Sequence, residues 1–202
     1  RFGEILRIGA PVSVTVIAEA AFFSGAAFLM GRIGPTELAA HTLALNLASF
    51  AFQVPFAVGQ AAAIRVGYHY GAANVAAIRL AGGAAIVCCI GFSGVNAAAM
   101  LLVPHLLLAL YVDVGAAANA VLVAFAVRYM VVAAAFQLFD GIQAGAMGAL
   151  RGLQDTQVPM AFALFGYWVP GMSCAIWLGF FTPLAGTGVW MGLAVGLVIV
   201  AG

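Results

Sequence analysis

The chain has 202 residues, of which 66% are hydrophobic and 6% are charged, and its mean hydropathy is +1.17. Soluble domains carry about 25% charged residues, so this composition excludes an ordinary soluble protein and predicts an integral membrane protein. The basic residues are all arginines, and the net charge of +1, without a basic cluster, excludes a nucleic-acid-binding surface.

Six apolar runs have roughly the 20-residue length that a membrane-spanning helix needs. None shows the alternation typical of a β-barrel, so we expect an all-α bundle of six transmembrane helices in a single unit, residues 1–202. In chain order the predicted spans are about 8–31, 42–66, 78–103, 119–149, 156–181 and 186–202. Thr36 and Thr156 follow turn residues and are predicted N-caps. The short last run, with no initiator Met at the start, favours a fragment or lobe of a longer protein.

The arginines predict the orientation of the bundle, because cytoplasmic loops of membrane proteins are enriched in basic residues. Arg1, Arg7, Arg65, Arg79 and Arg151 fall on one side of the membrane, and the remaining two arginines fall on the other or near it. We therefore expect both ends of the chain to be cytoplasmic.

The first predicted helix carries an acid, Glu19, about 11 residues from its start, which is roughly 16 Å along its axis. A carboxylate at this depth costs at least about 2.5 kcal/mol and normally faces a cavity, an ion pathway or a charged partner. Thr15 lies one turn before Glu19, and Phe22 and Phe23 lie one turn after it.

The second predicted helix carries a polar stripe at the 3.6-residue period of an α-helix. Its members are Thr42, Asn46, Ser49, Gln53 and Gln60. A single Ser, Thr, Asn or Gln can instead bond its own helix or join two helices. The stripe as a whole favours a helix face that lines a wet cavity.

The fourth predicted helix carries the second intramembrane acid, Asp140, with Gln137 and Gln143 three residues to either side. This spacing places the three side chains on one broad helix face. An ion pair with an arginine would be an alternative explanation of the acids, but Arg128 is the only basic residue more than one turn inside a predicted span and cannot neutralise both. We therefore predict a cation or proton site at Glu19 and Asp140, supported by Asn46, Gln53, Gln137 and Gln143.

Other residues give weaker indications. Glycines at four-residue spacing predict close helix packing: Gly141 with Gly145, and Gly188, Gly192 and Gly196. The histidines His41, His69 and His105 lie near span ends without metal-ligand spacing, which favours an interfacial role. Tyr167, Trp168 and Trp177 could be interfacial anchors or cavity walls. No nucleophile–base constellation or phosphate-binding motif occurs, so neither an enzyme nor an ATP-driven pump is indicated.

The segments FQLFDG, ALRGLQDTQVPM and LAAHTLALNLASFAFQVPFAVGQAAAIRVG strongly resemble the multidrug and toxic compound extrusion (MATE) transporters, in particular their bacterial NorM-type branch. The start, ILRIGAPVSVTVIAEAAFF, looks like the seventh helix of that family, and GTGVWMGLAVGL looks like its twelfth. The resemblance covers nearly the whole chain, as the C-terminal lobe of a twelve-helix transporter.

This resemblance implies a cation-coupled antiporter that exports organic, often cationic or aromatic, drugs across the inner (plasma) membrane in exchange for Na⁺ or H⁺. The family's cation-binding acids fall on Glu19 and Asp140, which would be Na⁺ ligands if the transporter is sodium-coupled. No cofactor beyond the coupling ion is expected. The implied partners are the lipid bilayer, a drug-like substrate and the missing N-terminal lobe. Two alternatives stay open: a flippase of lipid-linked precursors from the same superfamily, and a non-transporting membrane scaffold.

Overall fold

The structure, a computed structural model, describes residues 2–201, and every regular element in this range is helical. Arg1, used in the orientation argument, and Gly202, the end of the last predicted span, lie outside it. The helices are α1 (Phe2–Ile33), α2 (Pro35–Gly71), α3 (Val75–Leu102), α4 (Pro104–Leu108), α5 (Ala120–Gly152), α6 (Gln157–Gly166), α7 (Met172–Phe180) and α8 (Gly186–Ala201). A 3₁₀ turn at Ala117–Asn119 precedes α5, and a π turn at Tyr167–Gly171 joins α6 to α7.

The all-α membrane fold expected from composition is confirmed. Five segments are long and apolar enough to cross a bilayer, with α6, the π turn and α7 counting as one, and α8 is a shorter apolar helix of 16 residues. Large apolar side chains cover the outside of the bundle; Phe28, Phe50 and Leu102 are each at least two-thirds exposed. Such a surface is stable in lipid and would aggregate in water.

The first residues of α2 and α6 are capped differently from the prediction that Thr36 and Thr156 are N-caps. The second span begins at Pro35 instead of near residue 42, because proline at the first helical position loses no hydrogen bond. Gly34 is therefore the N-cap, and the prediction for Thr36, which lies inside α2, is wrong. Thr156 does occupy the N-cap of α6, but its hydroxyl makes no capping bond. The Asp155 carboxylate instead accepts a 3.4 Å hydrogen bond from the Val158 N–H.

Glycines set the distance between α5 and its two principal neighbours, α2 and α3. A Cβ atom on Gly59 of α2 would lie 2.5 Å from the Ala144 carbonyl oxygen of α5, and one on Gly148 would overlap the Gly59 carbonyl. On another face of α5, a Cβ on Gly145 would lie 3.3 Å from the Ile86 Cα of α3. The backbones are therefore in direct contact, as small residues permit in membrane helices.

The short helix α8 packs in the same manner and carries an aromatic core. Added Cβ atoms on Gly188 and Gly192 would overlap the backbone of α7. Trp190 is fully buried and stacks on Phe136 of α5, with ring centroids 5.5 Å apart. His41 of α2 meets the edge of the same indole ring at 5.4 Å and is also fully buried. The position of His41 near a span end did not predict this burial, which arises because α2 starts early enough to bring this residue into the core.

The close contact between α2 and α5 predicts a strong effect of a single methyl group. Gly148→Ala should destabilise the bundle by about 1–3 kcal/mol, the usual cost of overpacking a tight contact. The measurement is the thermal unfolding midpoint of the detergent-solubilised protein.

Gly83→Ala on α3 is the matched control, since nothing lies within 4 Å of an added Cβ there. It should be neutral or slightly stabilising, because alanine is the better helix former. Equal midpoints for the two variants would contradict the proposed contact.

Candidate functional site

A cavity of about 340 Å³ lies between α1, α2 and α5, and both intramembrane acids line it. It exists because α1 packs against α2, α6 and α8 but not closely along α5, whereas α2 and α5 are in direct contact. Its wall comprises Val16, Glu19, Ala20 and Phe23 from α1, Leu45, Ala48, Ser49, Phe52, Gln53, Phe56, Gly59 and Gln60 from α2, and Phe136, Asp140, Gln143, Ala144, Met147 and Arg151 from α5.

Asp140 is the more deeply placed of the two acids, with 6% of its surface exposed. The residue next to it, Gly141, is pressed against Ser93 and Cys89 of α3, where a Cβ would not fit. Gln137, one turn earlier, is buried and donates a 2.9 Å hydrogen bond from its side-chain amide to the Ala48 carbonyl of α2. Gln137 thus joins α5 to α2 and does not line the cavity.

Glu19 projects into the cavity from the middle of α1 and is half-buried. Thr15, one turn before it, donates its hydroxyl hydrogen to the Pro11 carbonyl at 2.9 Å and is buried, so its hydroxyl is used within its own helix. Neither Glu19 nor Asp140 takes part in a hydrogen bond or ion pair between residues that the structure describes. Two carboxylates therefore meet in one cavity without a protein partner.

The polar stripe of α2 divides into two parts. Ser49, Gln53 and Gln60 line the cavity, and all three are exposed on its open side. Asn46 and Thr42 are exposed on the same helix but lie beyond the cavity wall. The structure therefore brings Gln53 to the two acids and leaves Asn46 outside this cavity.

Gln143 contributes an oxygen that has no protein partner. Its side-chain nitrogen donates to the Tyr167 hydroxyl, behind the cavity, and lies 3.6 Å from the sulfur of Met147 in the cavity wall. Its carbonyl oxygen, Oε1, is buried and lacks any hydrogen-bond donor within the described range. The side chain is 3% exposed and lines the same cavity as the two acids, so Gln143 brings an unused acceptor to this part of the bundle.

This donor set fits a hard cation or a proton. Residues 2–201 hold no group of three or more His, Cys, Asp or Glu side chains that could hold a metal ion. Two carboxylates and an amide oxygen are all oxygen donors, the type that hard cations prefer over nitrogen and sulfur. A protonated carboxyl group could equally donate to the amide oxygen.

Arg151 is a cavity residue that the sequence did not indicate. The predicted span ends at residue 149, which puts Arg151 in the connection that follows. The helix α5 instead continues to Gly152, so Arg151 lies in its last turn. It follows Asp140 by 11 residues, about three turns and nearly the same helix face, and it lines the same cavity. The 11-residue spacing from Asp140 is the sequence signal that could have indicated this position of Arg151 in the cavity wall. Arg128, the candidate counter-charge, is exposed and lies outside the cavity wall.

Phenylalanines form much of the apolar wall: Phe23, Phe52, Phe56 and Phe136. Of these, only Phe23 was noted near an acid in the sequence. Trp168 and Trp177, the suggested cavity walls or anchors, are 43% and 61% exposed on the outside of the bundle. Aromatic faces next to carboxylates suit an organic cation, which gains both stacking and cation–π contacts.

The MatE family profile matches residues 11–177. The probable multidrug resistance protein NorM of Mesorhizobium japonicum is 43% identical over 201 residues, which cover 100% of this chain and 43% of that protein. The multidrug resistance protein NorM of Burkholderia vietnamiensis is 44% identical over 98% of this chain and 43% of its own length. The chain thus spans less than half the length of these relatives, whose descriptions agree with the expectation of a non-enzyme.

Solved structures show the same fold. The crystal structure of the eukaryotic MATE transporter AtDTX14 superposes with a TM-score of 0.88 at 26% identity, over 98% of this chain and 44% of that one. A MATE protein crystallised in the bent conformation gives a TM-score of 0.88 at 18% identity, over 98% of this chain and 43% of that one. The six-helix arrangement therefore corresponds to somewhat under half of each of these proteins.

The open polar side of the cavity predicts a pattern of chemical accessibility. In a cysteine-free variant of the full-length protein, Gln53→Cys and Gln60→Cys should react with a membrane-impermeant, water-soluble thiol reagent. The reason is that water reaches their side of α2. The measurement is the rate of labelling in intact membranes.

Val87→Cys on α3 is the control, because Val87 is 69% exposed but lies outside the cavity wall, on the surface expected to face lipid. We expect it to label at least about tenfold more slowly, since the thiolate that reacts is costly to form in lipid. Labelling of Gln53→Cys as slow as that of Val87→Cys would exclude a water-filled cavity.

Proposed function

This chain belongs to the MatE family, and we propose that it forms a lobe of a cation-coupled antiporter that exports organic, often cationic or aromatic, drugs. The observation that carries this proposal is the meeting of Glu19 and Asp140 in one aromatic-walled cavity, which is also lined by Gln143, whose Oε1 has no partner among the described residues. The relatives described as multidrug resistance proteins support the choice of substrate class.

The energetic argument for a cation is direct. Burying an ionised carboxylate without a partner is so costly that the group must be protonated or must hold a cation. Asp140 is almost fully buried and has no protein partner in the described structure, and Glu19 lines the same space. Either H⁺ or Na⁺ would neutralise them, and the oxygen-rich lining suits both.

Antiport follows if an organic cation uses the same two carboxylates. The drug and the coupling ion then compete, because each neutralises charges that the other also needs. The phenylalanines favour the drug by stacking, whereas the oxygen donors of Glu19, Asp140 and Gln143 in the same wall favour the small ion. Binding of one therefore releases the other, which is the minimum requirement for exchange.

The remaining part of the transporter is proposed to face the open side of the cavity. Ser49, Gln53 and Gln60 are exposed there, and Asn46 and Thr42 continue the polar strip along α2. A second lobe, the expected N-terminal half, would close a cleft over this strip. The arginine distribution supports an inner-membrane orientation with both ends of this chain in the cytoplasm.

The flippase alternative is less well supported by the cavity. A phosphate-bearing lipid precursor needs several cationic groups, whereas the lining holds Arg151 against two acids. A scaffold that only packs against neighbouring proteins would not need a cavity with two unpartnered carboxylates. The charges of the lining therefore favour a cationic substrate.

Removing either acid should strongly reduce exchange. In the full-length protein, Glu19→Gln and Asp140→Asn should each reduce cation-driven drug efflux from proteoliposomes by about tenfold or more. A hydrogen bond to a charged group contributes about 1.5–3 kcal/mol, and 1.4 kcal/mol is a factor of ten. Na⁺ gradients and pH gradients applied separately identify the coupling ion.

Two acids outside the cavity provide matched controls. Glu37 lies in the first turn of α2, and Asp113 accepts a bond from the Gly115 N–H in the connection before α5. Glu37→Gln and Asp113→Asn should leave efflux within about twofold of the unsubstituted protein. If Glu19→Gln and Asp140→Asn behave like these two controls, the carboxylate pair does not couple transport to a cation.

A further inference from the structure

Tyr167 lies directly behind the cation cavity, although it does not line it. The residue is fully buried at the start of the π turn between α6 and α7, and its hydroxyl oxygen accepts a hydrogen bond from the Gln143 amide. Gln143 is three residues from Asp140 on the same helix. Tyr167 is therefore one contact away from the proposed ion ligands.

The ring of Tyr167 also reaches the helix that carries the other acid. It stacks on Phe22 of α1, with ring centroids 5.0 Å apart and an interplanar angle of 18°. Phe22 is fully buried and three residues from Glu19. Because α1 and α5 do not pack closely along each other, Tyr167 is a bridge between the two acid-bearing helices.

The π turn determines where this bridge lies. It contains Pro170, which has no N–H to donate, and a π turn adds one residue to the local helical turn. Gly171, at its end, fits against the Phe22 ring, where a Cβ would come within 2.9 Å of Cζ. The turn is thus packed on α1 with no free space, and the Tyr167 hydroxyl is directed toward α5.

The hydrogen bond to Tyr167 decides which end of the Gln143 amide faces the cavity. With the nitrogen held by Tyr167 and close to the Met147 sulfur, the carbonyl oxygen is left buried and without a donor, on a side chain that lines the cavity together with both acids. Without the tyrosine hydroxyl, the amide could turn over and present two N–H donors to the ion. Amide hydrogens repel a cation, so the orientation of Gln143 has a direct effect on cation affinity.

We propose that Tyr167 is a positioning residue of the cation site: its hydroxyl orients the Gln143 side chain so that Oε1 faces Glu19 and Asp140. This inference rests on the proposed cation-coupled function of the cavity. It adds a residue from the fifth span, outside the three cavity helices, to the determinants of ion affinity.

The test is Tyr167→Phe in the full-length transporter, which removes the hydroxyl and keeps the ring that stacks on Phe22. The half-saturating cation level for drug efflux is measured by titrating NaCl at constant pH and pH at constant NaCl. In whichever titration drives efflux, the midpoint should shift by about tenfold toward higher cation concentration, the effect of losing one charge-assisted contact. Drug affinity in the absence of the coupling ion should change by less than about twofold.

A second experiment, made in the Gln143→Glu variant, distinguishes a tyrosine that orients Gln143 from one that only supports the fold. In Gln143→Glu, both terminal atoms are oxygens, so the orientation of the side chain no longer matters. Adding Tyr167→Phe to Gln143→Glu should then shift the cation midpoint by less than about twofold. An equal tenfold shift in both backgrounds would show that Tyr167 acts by supporting the fold, and would overturn the proposal.

Tyr129→Phe is the matched control for loss of a buried hydroxyl. Tyr129 is buried on α5, its hydroxyl has no partner among the described residues, and it lies outside the cavity wall. Its substitution should leave the cation midpoint unchanged. A normal midpoint in Tyr167→Phe, while Asp140→Asn strongly reduces efflux, would refute the role of Tyr167 alone; undiminished efflux in Asp140→Asn would refute the cation site itself.

Discussion

The rest of the structure depends on the cost of placing two carboxylates at membrane depth. Neither Glu19 nor Asp140 has a protein partner in the described structure, so the bundle must supply a cavity that an ion, a proton or water can enter. The cavity arises because α1 is held away from α5, while α5 is pressed against α2 and α3. The open space therefore lies between α1 and the face of α5 that carries Asp140.

The helix α5 contacts α3, contacts α2 and lines the cavity with different parts of its surface. Gly141 and Gly145 face α3, and Gly148 faces α2, each at a point where a side chain would overlap the adjacent helix. The remaining face presents Asp140 and Gln143 to the cavity. The alternation of glycine and polar residues in DGIQAGAMGALRG therefore reflects helical geometry, with small residues where backbones touch and chemical groups where they do not.

Much of the fold could be predicted from composition and run length, because only helices satisfy the backbone in lipid over segments of this size. The two acids could be predicted as site residues from the free-energy cost of a carboxylate at membrane depth. The 3.6-residue period of polar residues predicted that Gln53 lies on the side of α2 that faces the cavity. The family resemblance implied the same helical fold and the same two acids. These features are local properties of the chain or follow from the bilayer as a solvent.

Other features depended on three-dimensional contacts that periodicity does not contain. Gln137 shares the broad polar face of Asp140, yet the crossing of α2 turns it to the Ala48 carbonyl. Arg151 belongs to the cavity wall because α5 extends beyond its apolar run to Gly152. Tyr167 reaches Gln143 from the first residue of the π turn, a contact between two spans that the pattern within either span does not contain.

The net charge of the cavity lining determines how many cations it can hold. When all three charged side chains of the lining are ionised, Glu19 and Asp140 contribute −2 and Arg151 contributes +1, a sum of −1. The arginine lies at the end of α5 and Asp140 about 16 Å further in, so the arginine offsets part of the attraction without occupying the acids. One proton or one monovalent cation then neutralises the lining, and a singly charged organic cation does the same. In the proposed antiport, exchange of one for the other leaves the buried charge unchanged, so neither partner needs to be held so tightly that transport would stop.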